Sequence, residues 1–344
     1  MIDCPLPYEE NDVITSAHGA GGKTMHKFLR DLVYETLGNS FLNTQHDGAI
    51  LNLNGKTAFS TDSYVVSPAF FPGGNIGDLA VNGTVNDLAM CGAKARYLSL
   101  SCILEEGIPV SRVYDVLISV KNAAEYAGVN IVTGDTKVVE NGKGDGIYLN
   151  TSGIGSIHDR ADIAHTRIEE GMSIIVSNDI AAHGMAIMAL REQLNLSPTI
   201  LSDTQPLHRP VLTLLDWFGD KVIMLRDATR GGLATVLNEW TSMVDLGIEL
   251  EEQTIPVKNE VSSLCEILGI DPLYVANEGV FVMVLPGTIA HEALEIMHTL
   301  PECKGASIIG KFTSNHKGKV VVKSMYGGNR VVGMLAGDPL PRIC

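Results

Sequence analysis

Periodicity along this chain switches repeatedly between two residues and three-to-four, and it does so on both sides of one charged stretch that has neither period. On the N-terminal side, AILNLNGKTAFSTD alternates as two strands joined at Asn54-Gly55, a pair that tolerates the positive φ of a hairpin turn. GDLAVNGTVNDLAMCGA follows as a helix ended by Gly92, with polar Asp78, Asn82 and Asn86 at every fourth position. KARYLSLSCIL reads as a strand. SRVYDVLISVKNAAEYAG reads as a helix with Val113, Val116, Leu117, Val120, Ala124 and Ala127 on one face, capped by Ser111 and stopped by Gly128. A strand to Thr133, a loop GDTK, a glycine-rich turn ENGKGDG and the strand IYLNTSGIGSI complete this half. HDRADIAHTRIEEG, charged and aperiodic, marks a boundary. Beyond it come the strand SIIVS, a helix near 183–193, the strand KVIML, and a helix from Gly232 with Leu233, Val236, Leu237, Trp240 and Val244 on one face. VFVMVL, the helix HEALEIMHTL and a hairpin at 327–329 follow. Such alternation predicts two α/β or α+β domains with helices packed on sheets. The expected divisions are a glycine-loop segment 1–40, a first domain 41–157, a second domain 158–335 and a mobile tail 336–344.

A chain of 344 residues is long enough for two cores, and 45% hydrophobic against 19% charged residues excludes disorder throughout. MIDCPLPYEE lacks the basic and apolar regions of an export signal, and Val280–Leu285 is far too short to cross a bilayer, so a cytoplasmic protein without a membrane partner is expected. The formal charge of -15 repels polyanions and argues against a nucleic-acid partner. Six cysteines, at 4, 91, 102, 265, 303 and 344, form no CxxC pair, which points to reduced thiols rather than disulfides or structural zinc.

Several short motifs carry chemistry. In HGAGGKT, His18 to Thr24, the glycines Gly19, Gly21 and Gly22 before Lys23 either let backbone N–H groups cradle phosphate or form only a flexible turn. A Walker A loop requires glycine where Ala17 stands. Asp62 in STDS, Asp87 in VNDLAMCGA, Asp135 in TGDTK and Asp227 in RDATRGG share similar settings. Each alone reads first as a helix cap or turn former, and only their joint appearance beside Gly and Thr points to ligands of a nucleotide-bound Mg²⁺. RDATRGGL either offers Arg230 and the amides of Gly231 and Gly232 to phosphate at a helix start or is only an Asp-capped helix start. Lys137 reads as a phosphate partner, a base or a surface lysine, and Glu278 precedes a strand that reads as buried, where a lone carboxylate is costly. His158, His165, His183 and His208 show no metal-ligand spacing and are read as structural, as are Cys91 and Cys102 as core thiols. Pro339 and Pro341 hold the C-terminal segment extended, and eight residues span at most roughly 25 Å. Cys344 can therefore reach from solvent into a cleft, with Arg342 nearby to offset the terminal carboxylate. The residues alone leave an incidental thiol and a functional one equally open.

Taken in order, HGAGGK, STDS, GDLAVNGTVNDLAMCGA, TGDTKVV, DATRGGLATVLNE, ANEG and the terminal PRIC make the chain resemble the hydrogenase maturation carbamoyl dehydratase family, HypE, over almost its whole length. The glycine loops are shared with aminoimidazole ribonucleotide synthetase, selenophosphate synthetase and thiamine monophosphate kinase, and PRIC narrows the match. This resemblance implies a two-domain aminoimidazole ribonucleotide synthetase-like α/β fold. It implies a homodimer joined through the N-terminal sheets, with ATP and Mg²⁺ bound nearby. Cys344 would receive a carboxamide from a HypF-type carbamoyltransferase, and ATP would convert it to a thiocyanate. The cyano group would pass to iron on a HypC/HypD-type scaffold. Carried onto this chain, Lys137 and Glu278 would handle protons. His18, Gly19, Gly21, Gly22, Lys23, Asn86, Arg230, Gly231 and Gly232 would meet ATP, and Asp62, Asp87, Asp135 and Asp227 the metal. The competing readings are a related enzyme acting on a free small molecule and a nucleotide-binding scaffold without catalysis. Selenophosphate synthesis calls for a cysteine near the glycine loop, and HGAGGK has none.

Overall fold

The computed structural model describes residues 8–9, 12–46, 48–335, 337, 340 and 342–344. Cys4, Pro339 and Pro341 lie outside the described residues. The first unit opens with α1 (Lys23–Phe28), a π-helical turn Leu29–Tyr34 and α2 (Glu35–Leu37), which lean on the sheet through buried Phe28, Leu32 and Leu37. Then come β1 (Thr57–Tyr64), a small ladder of β2 (Phe70–Phe71) and β3 (Gly74–Asn75), α3 (Ile76–Met90), β4 (Ala93–Glu105), α4 (Val110–Ala127), β5 (Asn130–Val139) and β6 (Ile147–Ile157). Four of these strands form a sheet in the order β1-β6-β4-β5, with β4 and β5 parallel across the α4 crossover and the other pairs antiparallel.

The second unit contains β7 (Ser173–Val176), α5 (Ala182–Arg191), α6 (His208–Phe218), β8 (Met224–Asp227), α7 (Gly232–Met243), β9 (Gly247–Glu251) and α8 (Asn259–Leu268). It ends with β10 (Phe281–Leu285), α9 (Ala290–His298), β11 (Ser307–Thr313), β12 (Val320–Lys323) and β13 (Asn329–Val332). Its seven-stranded sheet has the order β13-β12-β9-β11-β7-β10-β8, antiparallel except for β12 on β9. Among the described residues no helix is long and apolar enough to cross a membrane.

Helix α3 joins the two units. Asn75 caps it by accepting the Gly77 N–H at 2.7 Å, and Asp78 reciprocates by accepting the Asn75 N–H at 2.8 Å, a capping box that fixes where the helix starts. Ile76, Leu79, Val81, Val85, Leu88 and Ala89 are buried all round it, because the first sheet, α4, α6 and β8 surround it. Each large apolar side chain buried there contributes about 1.5–3 kcal/mol. A helix enclosed this way sets any polar group it carries at the seam between the units.

The structure departs from the sequence expectations at several points. Residues 49–54 are assigned to no strand, and Ile50 is 90% exposed. The alternation is present, but β1 is an edge strand and the segment does not pair with it. Helix α4 starts at Val110 behind Pro109, so Ser111 lies in the first turn rather than at the cap. GDTK lies inside β5, because the parallel ladder with β4 runs on through Val139. Gly134 sits so close over this ladder that a Cβ there would stand 2.1 Å from the Leu100 carbonyl oxygen. Val244 ends α7 rather than continuing its face, and the strand read as KVIML begins only at Met224. Cys102, Cys265 and Cys303 are buried thiols, whereas Cys91 is exposed at the end of α3, against the expectation of a core thiol.

Candidate active site

Between the units lies a cavity of about 310 Å³, whose lining includes Asp62, Asp87, Arg226, Asp227, Arg230, Glu278 and Cys344. Each acid arrives on a different element. Asp62 is near the end of edge strand β1 and Asp87 is on the last turn of α3. Asp227 ends β8, and Glu278 lies in the loop before β10. That loop is fixed by side-chain amides. Asn277 donates to the Ala228 carbonyl at 2.8 Å and the Val275 carbonyl at 3.1 Å, and accepts the Ala181 N–H at 2.6 Å. Asn86 donates to the Gln205 and Glu278 carbonyls, both at 3.1 Å, and accepts the Leu207 N–H at 2.7 Å. Asp203 accepts the Glu278 N–H at 2.8 Å. After Asp227 the chain turns into α7 through Gly231 and Gly232 at φ 68° and 60°. A side chain at Gly232 would also stand 2.5 Å from the Val275 carbonyl oxygen, so both conformation and space demand glycine there.

Crowding carboxyls in this seam shifts their proton affinities. Burial, and then the neighbouring Asp87, push Asp227 up to about 7. Burial also raises Asp87, whose carboxylate accepts the Ser60 hydroxyl at 2.5 Å. Burial, followed by repulsion from Asp203, holds Glu278 well above the usual carboxylate range, and burial takes Asp203 to about 6. One oxygen of Glu278 and one of Asp203 are buried without a hydrogen-bond partner. Arg230 pairs with Asp62 at 3.1 Å and remains largely exposed on its other side. Among the described residues no three His, Cys, Asp or Glu side chains stand close enough to hold one ion by themselves. Asp62, Asp87 and Asp227 instead supply hard oxygens around a space, which suits a cation that arrives with phosphate oxygens of its own.

The C-terminus ends in this cavity. The terminal oxygen of Cys344 accepts the Val65 N–H, and the Arg342 carbonyl accepts the Ser67 N–H, both at 3.3 Å, so the tail lies along the segment after β1. Leu340 and Ile343 are buried. Arg342 adopts φ 59°, uncommon for a residue with a side chain, and its guanidinium turns away from Cys344 to pair with Asp145 and lie 6.0 Å over the Tyr148 ring. The group facing the Cys344 sulfur is therefore Arg230, not Arg342 as the sequence suggested. Burial, and then Glu278, outweigh that cation and push the thiol up to about 12.

Of the residues singled out from the sequence, Cys344, Glu278, Asp62, Asp87, Asp227 and Arg230 meet at this cavity, Gly231 lines the adjoining space around the tail, and Gly232 starts α7. Asn86 is buried, and its amide groups are engaged by the loops just described. Asp135 and Lys137 are elsewhere. They pair with each other at 2.9 Å on β5, at the opposite edge of the sheet from Asp62, three strand spacings or roughly 14 Å away. The glycine loop accompanies them. Gly19 packs on Val138, while Gly21, Gly22 and Lys23 are exposed, and His18 is buried with Nδ1 3.0 Å from the Thr15 N–H and its ring edge-on to Phe28. The residues singled out therefore fall into two separate groups on one chain. Residues absent from the sequence reading are Asp203 and the tail's contacts Arg191 and Asp145, and His183, read there as structural, also contacts the tail. Only the tail's own reach hinted at them.

Residues 45–157 match the family model for AIR synthase related protein, N-terminal domain, and residues 169–323 match that for the C-terminal domain. Carbamoyl dehydratase HypE of Azotobacter vinelandii is 42% identical over 335 residues, which is 97% of this chain and 98% of the relative. Its counterpart in Escherichia coli strain K12 is 42% identical, covering 96% of this chain and 99% of that one. A crystal structure of hydrogenase maturation protein HypE in complex with ATP superimposes with a TM-score of 0.91 at 42% identity, over 96% of this chain and 99% of its own. A HypE-HypF complex gives 0.79 at 41% identity, over 90% of this chain and 99% of that one. Thiamine monophosphate kinase of Aquifex aeolicus, 18% identical with a TM-score of 0.59, shares the fold alone. With both domain models matched and this identity sustained along nearly the full length, the chain belongs to the HypE family of carbamoyl dehydratases.

Proposed function

We propose that this carbamoyl dehydratase acts on its own C-terminus, using ATP to convert a carboxamide on the Cys344 sulfur to a thiocyanate that supplies cyanide ligands for a nickel-iron hydrogenase. The observation that carries this reading is the lodging of the chain's last residue in the acidic cavity, beside Glu278, Arg230 and the three aspartates. A scaffold that only held nucleotide, or an enzyme for a free metabolite, has no use for its own terminal sulfur there.

The chemistry balances as two steps. The carboxamide oxygen attacks the γ-phosphorus of ATP, ADP leaves, and nitrogen gives up one proton, leaving an O-phosphorylated imidate. The C–O bond then breaks, nitrogen loses its second proton, which the phosphate carries off, and S–C≡N remains. Arg230 turns from Asp62 to the transferring phosphate, and the closed seam keeps water from the imidate. Asp62, Asp87 and Asp227 would hold Mg²⁺, which neutralises nucleotide charge when bound. Burial holds Glu278 well above the usual carboxylate range, and positive charge entering the cavity would lower it and favour its acting as a proton acceptor. An adjoining cavity of about 590 Å³, sharing Asp87, Arg226 and Asp227 and lined by Phe59, Met90 and Ile163, leaves room for the rest of the nucleotide.

The β5 half-site is explained by a homodimer. The sheet face bearing Phe59, Ile103, Asp135 and Lys137 is uncovered, with Phe59 67% exposed. A two-fold axis along the strands sets β1 of one copy against β5 of the other, so Asp135, Lys137 and the glycine loop of the second copy, with His18 and Lys23, serve the cavity of the first. The tail leaves its cleft to be charged from carbamoyl phosphate by a HypF-type carbamoyltransferase, returns for dehydration, and delivers cyanide to a HypC/HypD-type iron scaffold in the cytoplasm. The test is intact mass after incubation with the carbamoyltransferase, carbamoyl phosphate, Mg²⁺ and ATP. A carboxamide on the C-terminal peptide that loses water only with ATP is expected. No adduct there despite an active partner overturns the proposal.

A further inference from the structure

We infer that His183 is a positioning residue that receives the tail by its backbone and sets how far Cys344 reaches into the cavity, an inference that rests on the proposed dehydration of a Cys344 carboxamide. His183 is fully buried at the start of α5, edge-on to Phe71 at 5.4 Å. Its Nε2 lies 2.8 Å from the Ile343 carbonyl oxygen, and its Nδ1 lies 2.8 Å from the Ser202 hydroxyl. The proton positions follow from what each neighbour can do. A peptide carbonyl only accepts, so Nε2 carries the hydrogen. Burial keeps the ring neutral, so Nδ1 accepts and the Ser202 hydroxyl donates. That hydroxyl oxygen is then free to accept the Thr204 N–H, which stands 3.1 Å away. The chain of donors runs one way, from Thr204 through Ser202 and His183 to the tail, and every member is satisfied.

The same loop also orients the reacting side. Asp203, between Ser202 and Thr204, accepts the Glu278 N–H, and Gln205 offers its carbonyl to Asn86. One short segment therefore fixes the tail carbonyl at Ile343 and the acid at Glu278 to a common frame. Arg191, about two turns further along α5 from His183, adds contacts to the Ser67 and Arg342 carbonyls, which again read backbone rather than side chain. A receptor built on backbone contacts one residue before the sulfur fits a tail whose last side chain changes chemically during the cycle.

The test compares His183→Phe, which fills the space without a donor, with His183→Gln, whose amide restores one. Two readings are taken on the full-length protein: alkylation of the uncharged Cys344 by iodoacetamide, followed on the C-terminal peptide, and single-turnover dehydration of the charged tail at saturating ATP. Losing one buried hydrogen bond is expected to speed alkylation and slow dehydration by about ten- to a hundredfold each in the Phe variant, with substantial recovery in the Gln variant. ATP affinity and total carbamoylation should not change, which a general structural defect would not spare. Should the Phe variant fail to fold, Ser202→Ala leaves the ring in place but frees its tautomer, and shifts of about threefold in the same directions are expected. Wild-type alkylation and dehydration in a folded donor-less variant overturn the inference. A wild-type chain that is charged but never dehydrated overturns the functional reading instead, and the alkylation ratio still decides the role of His183.

Discussion

Replacing Asp227 by Asn should stabilise the ligand-free protein while disabling it, and the size of the gain can be worked from the site. The carboxyl ends β8, is shielded by both units, and faces Asp87, so its proton affinity rises from the ordinary 3.8 to about 7. A raised acid holds its proton more tightly in the folded chain than in the unfolded one. Its contribution is favourable at low pH, is lost as pH climbs from 3.8 towards 7, and is a full penalty above that. The gap corresponds to about 4 kcal/mol at about 1.4 kcal/mol per pH unit, an upper figure because Asp87 shares the repulsion. Asparagine has nearly the same shape and no charge to desolvate. Urea unfolding of both proteins without nucleotide should show the variant more stable by about 2–4 kcal/mol at about pH 8, with the difference shrinking towards zero at about pH 4. Saturating Mg²⁺ and ATP should narrow or reverse the gap, since only the wild type gains fully from the cation. No gain at the higher pH, or an equal gain at both, would refute the argument that crowded, desolvated carboxyls are held here against stability.

Three further outcomes follow from named contacts. Cys344→Ala should unfold like the wild type to within about 1 kcal/mol, yet accept no carboxamide, because the side chain is only partly buried at the chain end; mass analysis and urea titration check this together. Asp145→Asn removes the partner of Arg342, but both side chains are about two-fifths exposed, so it should speed Cys344 alkylation by less than about fivefold, an effect that added salt erases. Gly232→Ala combines a positive φ with a Cβ driven against the Val275 and Leu273 carbonyl oxygens, and should destabilise the second domain by more than about 1 kcal/mol, read as a lowered Tm.

The parts legible in the sequence were those encoded locally. Helix α4 shows its face through Val113, Val116, Leu117 and Val120, and Gly128 stops it in the left-handed region, all within one stretch. The four aspartates look alike in the sequence because each stands in a short polar motif within or at the end of a strand or helix. Sheet order then separates them: Asp62 stands on β1 and Asp135 on β5, opposite edges of the sheet, and no local motif carries strand order. The run 49–54 alternates as a strand does, yet it pairs with no strand among the described residues. His183 was silent because it is defined by a hydroxyl 19 residues on and a carbonyl 160 residues on, neither of which leaves a spacing signal. Glu278 announced itself because a carboxylate entering an apolar strand is costly wherever the strand lies.

The shifted thiol explains why a tail, rather than a fixed loop, should bear this cysteine. Docked, the Cys344 thiol is pushed by burial up to about 12 from its ordinary 9.0, so at neutral pH it presents far less thiolate than a free thiol. The cleft that suits dehydration is thus a poor place for sulfur to act as a nucleophile, and on the proposed cycle charging belongs outside it. Linkage runs the other way as well: whatever raises the thiol on docking also expels the thiolate, and favours any neutral group at that position. A carboxamide is neutral and has no thiol proton to lose. At neutral pH a thiol with an ordinary pKa of 9.0 is almost wholly neutral, so bare and loaded tails alike dock without a charge to expel, and a rise in pH above about 9 should release only the bare one.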